Sequence, residues 1–174
     1  EALTQLMTQI RQNPEVDDVC VTYYSCPYSN GNSWREVKPV DGDTIYAAHM
    51  EAFQMRNVTP EYFRLFRIRT IDGESVYDKV AGRHNVIVEG FYHGSSNVVG
   101  RRVYHSNNEL SSEIAAVSTS IRTSEYDRPE ASYFQCMEGE TYNSTVSDFG
   151  ASNAEFCVRM KRPYTQNEMN LFLD

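Results

Sequence analysis

The run Val58-Thr-Pro-Glu-Tyr-Phe63, continuing as Arg64-Leu-Phe-Arg-Ile-Arg-Thr-Ile-Asp-Gly-Glu-Ser75, sets a strand end, a helix start and a turn side by side. Thr59 is a residue type that caps helix N-termini, and Pro60 has its φ preset for a first helical position. Glu61 puts a negative charge beside the unpaired amides of a helix start. Tyr62, Phe63 and Phe66 then give that short helix an apolar face, and Asp72-Gly73 reads as the closing turn. A strand that passes directly into a packed helix predicts a mixed α/β (α+β) fold.

Upstream, Ile45 to Val58 alternates imperfectly and reads as one long strand, with His49, Phe53 and Met55 on one side. Leu3, Leu6, Met7 and Ile10 recur at helical spacing, so the first segment reads as an amphipathic helix. Asn13-Pro14 ends it, because the residue before a proline avoids the helical region. Val16 to Tyr24 is a predicted strand, with Val19, Val21 and Tyr23 on one face and Cys20, Thr22 and Tyr24 on the other. Pro27 to Ser33 reads as a loop, Trp34 to Val37 as a short strand, and Asp41-Gly42-Asp43 as a turn.

Downstream, Asn85 to Glu89 is continuously apolar at its centre and reads as a strand inside a sheet, in a parallel or central position. Gly94 to Asn97 is a predicted loop. Arg101 to His105 and Ser112 to Ile121 are expected to form a hairpin across Ser106-Asn107-Asn108. Arg122 to Glu130 reads as a loop, Ser132 to Met137 as a strand, and Glu138 to Asn153 as a mobile loop. Glu155 to Lys161 is the last strand. Thr165 and Glu168 then form a capping box ahead of Met169, Leu171, Phe172 and Leu173. Neither the first helix nor the last has a cap at its outer end, so both are expected to continue beyond the chain.

With 174 residues there is room for one domain or two small lobes, and for a core that needs no metal or disulfide. The net charge of −8 and the lack of a basic stripe exclude a nucleic-acid surface, since binding there depends on displacing phosphate counterions. No apolar run approaches the roughly 20 residues of a membrane span. No basic start followed by an apolar stretch marks a signal peptide.

Chemistry-bearing patterns are sparse, and no catalytic, cofactor or metal site is expected. His84 and His93 flank a strand, but no cysteine or carboxylate pattern joins them. Ser95 and Ser96 lack a G-x-S-x-G frame, and Gly90 to Gly100 lacks a phosphate-cradling pattern. Cys20 and Cys157 lie in apolar alternating runs and read as buried thiols. Cys26 and Cys136 are candidates for a disulfide in an oxidising compartment, but four cysteines allow three full pairings and sequence does not choose among them. Tyr23, Tyr24, Tyr28 and Trp34 gather around the first loop. They read either as core and loop packing or as a partner-contact patch, because aromatics anchor interfaces.

Several stretches together resemble a known family. VTPEYFRLFRIRTIDGES (Val58 to Ser75), NVIVEGF (Asn85 to Phe91), VGRRV (Val99 to Val103), SEIAAVSTSIR (Ser112 to Arg122) and EFCVRMKR (Glu155 to Arg162) are similar, in order, to the extracytoplasmic (periplasmic core) domain of MacB/FtsX-like ABC-transporter permeases, as is YYSCPYSNGNSW (Tyr23 to Trp34) to Bacteroidetes-type members. Thr59, Pro60, Tyr62, Phe63, Gly73 and Gly100 fall on the family's structural motif. The sequence departs from the family pattern at Gly90 to Asn97, where a fuller helix is usual, and at Ala115-Ala116, where a glycine is usual.

The resemblance implies a sheet flanked by N- and C-terminal helices, with a porter-like lobe (1–70 with 125–174) and a smaller lobe (71–124). It implies a single non-catalytic domain, residues 1–174, set between two membrane helices on the periplasmic side of an inner membrane. Such a domain relays ATP-driven motion. Its implied partners are a cytoplasmic ATPase subunit or domain reached through the membrane helices, a second permease protomer, and a periplasmic adaptor protein. The alternative is a stand-alone periplasmic module that binds a ligand or peptide in an apolar pocket.

Overall fold

The structure is a computed structural model and describes residues 2–23, 26, 34–35, 37–39, 53–80, 86–89, 98–105, 113–121, 132–137 and 154–173. In chain order the elements are α1 (Ala2–Gln12), β1 (Val16–Tyr23), β2 (Trp34–Arg35), β3 (Val37–Pro39), β4 (Phe53–Val58), α2 (Glu61–Leu65), α3 (Val76–Val80), β5 (Val86–Glu89), β6 (Val103–His105), β7 (Ile114–Ser118), β8 (Ser132–Cys136), β9 (Ala154–Met160) and α4 (Gln166–Leu173). Several predicted features lie outside the described residues: the loops at 27–33, 94–97, 122–130 and 138–153, the turn at 41–43, the first part of the long strand, and His49, His84 and His93.

Among the described residues the main sheet has seven strands in the order β7-β5-β8-β4-β1-β9, with β2 also paired to β4. One edge of β4 is shared: Val58 and Asn57 face Thr22 and Tyr23 of β1, while Gln54 and Phe53 face Trp34 and Arg35 of β2. Its other edge runs parallel to β8, from Gln54↔Ser132 to Val58↔Cys136. As its apolar run predicts, β5 lies inside the sheet, parallel to β7 and antiparallel to β8.

The expected hairpin between residues 101–105 and 112–121 does not form. β6 pairs with β3 in a separate two-stranded ribbon, and β7 pairs with β5. Among the described residues the two segments meet at their base, where the Gly100 amide donates to the Ile114 carbonyl and the Ile114 amide donates to the Arg101 carbonyl. Turn residues between two apolar runs do not specify a hairpin when each run has a better partner elsewhere in the sheet.

The period-two alternation sorts the core onto two faces. Cys20, Val58, Phe134 and Cys136 point to one face, where Tyr62 and Phe63 of α2, Ile68, and Val76 and Val80 of α3 bury them. Val21, Tyr23 and Met137 point to the other, where Met7 of α1 covers them. The first helix is thus amphipathic as predicted, although Leu6 faces outward and only Met7 is fully buried among its described side chains. Helix α3 has no counterpart in the sequence reading. Its signal is Ser75, whose hydroxyl accepts from the Asp78 amide at 3.4 Å in the manner of an N-cap.

Two helix ends carry the local chemistry most clearly. At α4 the capping box forms as predicted: the Thr165 amide donates to Glu168 Oε2 at 2.8 Å and the Glu168 amide donates to Thr165 Oγ1 at 3.3 Å. At the end of α2 the Ile68 amide donates to the Phe63 carbonyl and the Arg67 amide to the Arg64 carbonyl, which together make a Schellman motif. The residue that must turn left-handed there is Arg67, at φ 53°, where glycine is the usual choice. Its side chain is exposed, so Arg67→Gly removes the Cβ strain without losing packing. We expect Arg67→Gly to raise stability by about 0.5–1 kcal/mol, read as a higher urea midpoint with unchanged slope.

Candidate functional site

The motif residues Thr59 to Phe63 form the joint between β4 and α2. Thr59 does not cap α2. The helix has no side-chain cap, and Pro60 occupies the N-cap position in a right-handed helical conformation. Thr59 is instead tied to β1: its amide donates to the Val21 carbonyl at 3.0 Å, and its Oγ1 accepts from the Val21 amide at 3.2 Å. A hydroxyl next to an unpaired strand edge finds a buried donor there, which outweighs an exposed capping bond. Tyr62 and Phe63 are buried, and both rings lie against Phe134 of β8, at 5.9 and 5.4 Å between centroids. Gly73 and Gly100 sit at φ 86° and 84°, in turns where a Cβ is strained whatever space surrounds it.

An ion-pair frame holds α2 to the sheet. Asp18 is buried and accepts two bonds from the Arg64 guanidinium, at 2.8 and 2.9 Å, and one from the Val19 amide at 2.9 Å. Burial acts to raise the Asp18 carboxyl. The bonds and positive charge of Arg64, the Val19 amide and the charge of Arg159 outweigh it and leave the pKa below the ordinary carboxylate value. Arg159 of β9 bonds Asp17 at 2.6 Å and donates to the Leu65 carbonyl at 2.8 Å, placing a cation at the C-terminus of α2. Arg11 of α1 pairs with Glu61 at the other end of that helix, at 2.7 Å.

Three of the four thiols come together. Cys20 of β1 and Cys157 of β9 are direct cross-strand partners on the α2 face of the sheet, and Cys26 Sγ lies 3.2 Å from Cys157 Sγ. The Cys26 amide donates to Glu155 Oε2 at 3.1 Å, and Thr22 Oγ1 donates to the same oxygen at 3.0 Å. Cys136 is buried on β8, with β4 and β1 between it and β9, so the considered Cys26–Cys136 pair is not the one the fold brings together. Sequence spacing cannot reveal this cluster, because it depends on the β1–β9 register. All four cysteines are free thiols.

The aromatic patch is only partly described. Tyr23 is 1% exposed under α1, so it serves the core and offers no surface to a partner. Trp34 lies on β2, while Tyr24 and Tyr28 lie outside the described residues. A shallow groove of about 470 Å³ runs beside edge strand β7, between Thr70, Ile71, Val98 and Val99. Ile71 and Val99 are exposed there. Among the described residues no three His, Cys, Asp or Glu are arranged to hold a metal ion, and no helix is long and apolar enough to cross a membrane.

The chain enters the sheet through β1 and leaves it through β9, and these strands are antiparallel neighbours, so both passages lie at one end. The domain is α+β, with helices on both faces of a mixed sheet. No known family's sequence pattern matches the chain, and no curated protein matches it. Solved structures do. The extracellular domain of the noncanonic ABC-type transporter YknZ from Gram-positive bacteria superposes with TM-score 0.56 at 11% identity, covering 96% of this chain and 75% of that one. The periplasmic region of MacB from Actinobacillus actinomycetemcomitans gives 0.59 at 9%, covering 98% and 70%. A domain assigned to a permease from Porphyromonas gingivalis gives 0.59 at 16%, covering 95% and 71%. The fold is that of the extracytoplasmic domains of MacB- and YknZ-like ABC-transporter permeases, as the sequence resemblance implies.

Proposed function

We propose that this chain is the non-catalytic extracytoplasmic domain of an ABC-transporter permease and that it passes ATP-driven motion to the far side of the membrane. The observation that carries this reading is the shared fold, which spans 95% or more of the chain in each of the three structures above. The one-ended entry and exit through β1 and β9 supports it, because a head held on two membrane anchors needs both strands to start from the membrane side or both to return to it. On this reading the domain is periplasmic or extracellular. Its partners are an ATPase subunit or domain, a second permease protomer and an adaptor protein, and the lobes 1–70 with 125–174 and 71–124 move relative to one another.

The test uses the intact permease with its ATPase in membranes. Leu171 of α4 is 78% exposed and can carry a label as Leu171→Cys, with Cys26→Ser and Cys157→Ser removing competing thiols. A membrane-impermeant maleimide added to spheroplasts is expected to label it without lysis. Spin labels there are expected to change their inter-protomer distance when ATP is added. Labelling only after lysis, or a distance distribution unmoved by ATP, overturns the proposal.

A further inference from the structure

We propose that Cys26 and Cys157 are a thiol pair that a disulfide oxidant, of low molecular weight or carried by a protein, converts into a disulfide joining the chain beyond β1 to strand β9. Their sulfurs are 3.2 Å apart, so bonding needs an approach of about 1 Å, within reach of small side-chain rotations. Cys157 has a second thiol neighbour in Cys20, its cross-strand partner. Both of those residues are held by the same ladder, which limits how far either can move towards the other. Cys26 lies outside any strand, with its amide on Glu155 Oε2 holding it beside Cys157. Cys26 and Cys157 are both half-buried where Cys20 is fully buried, so an incoming oxidant reaches this pair before Cys20.

The chemistry proceeds in two exchanges. The Cys26 thiolate attacks one sulfur of oxidised glutathione, forms a mixed disulfide and releases one reduced glutathione. The Cys157 thiolate then attacks the Cys26 sulfur and releases the second. The two protein thiols lose two protons and two electrons, and the oxidant takes up both electrons.

The surroundings set the rate. Burial, the Cys157 thiol and the Glu155 carboxylate push Cys26 up to about 12, and the bond to Cys20, burial and Glu155 push Cys157 higher still. Exchange is therefore slow at neutral pH and speeds up about tenfold per pH unit. This pairing is a property of the side chains and does not depend on where the protein resides.

The reduced chain, residues 1–174, is incubated with oxidised glutathione at pH 8, alkylated and mapped by mass spectrometry without reduction. The expected product is a Cys26–Cys157 cross-linked peptide about 2 Da lighter than its two reduced parts, with Cys136 alkylated. Cys20→Ser is expected to retain the link, and Cys157→Ser to stop at a glutathione adduct on Cys26. A Cys20–Cys157 link, a persistent Cys26 adduct in the unsubstituted chain, or four free thiols after prolonged incubation at pH 9 would overturn the proposal.

Discussion

Phe134→Ala is expected to lower unfolding stability by about 3–5 kcal/mol, the usual cost of truncating a buried phenylalanine and leaving a cavity. The ring is fully buried at the centre of the α2 face, with Phe63 edge-on at 5.4 Å and Tyr62 tilted at 5.9 Å. It also lies 5.8 Å beneath the buried Arg56 guanidinium, whose residue is its register partner on β4. Truncation therefore removes packing from a helix and a strand at once, along with an aromatic face beneath a buried charge. Guanidinium denaturation of both proteins checks this, with the slope compared so that a change in denatured-state compactness is not mistaken for lost stability. A loss under 1 kcal/mol would mean that α2 does not pack as described.

Asp18→Asn is the second large effect, an expected loss of about 2–3 kcal/mol at neutral pH, the scale of hydrogen bonds to a charged group. The amide cannot accept the guanidinium fork of Arg64 with the charge and symmetry of a carboxylate. Because Arg64 is partly exposed, the loss falls short of what a fully buried broken pair gives. The pH dependence has a definite sign. The folded-state pKa of Asp18 is lowered, so its contribution is fully present above the unfolded value of about 3.9 and is lost as pH falls through the folded value. The gap between the two proteins in urea midpoint should therefore be widest near pH 7 and narrow as pH falls below the ordinary carboxylate value. A gap independent of pH would assign the effect to packing rather than charge.

The order of elements was largely readable because it is written in local periodicity. The spacing of Met7 and Ile10, the alternation from Val19 to Tyr23, and the Thr165–Glu168 box each report a neighbour a few residues away, and each appears in the structure. The errors arise where a distant partner competes with a local one. Thr59 has the chemistry of a cap and is drawn to Val21 of another strand. The segments around 103 and 114 look like a hairpin and pair with β3 and β5. Tyr23 looks like an interface aromatic until α1 closes over it. The thiol cluster and the Asp18–Arg64–Arg159 frame were illegible for the same reason. Each depends on contacts between residues more than forty positions apart, through a register that composition does not encode.

The pairing of β1 with β9 governs how the domain responds to pulling. Two antiparallel neighbours gripped at the same end experience separation as peeling, in which rungs open one after another, not as shear shared across the whole ladder. The first to open are the Lys161 amide on the Glu15 carbonyl, the Lys161 ammonium on the Pro14 carbonyl and the Tyr164 hydroxyl on Glu15. When both ends are dragged the same way no rung of this ladder is loaded, and β1 and β9 travel together. The molecule is thus stiff towards joint displacement of its two leads and yields readily when they are spread.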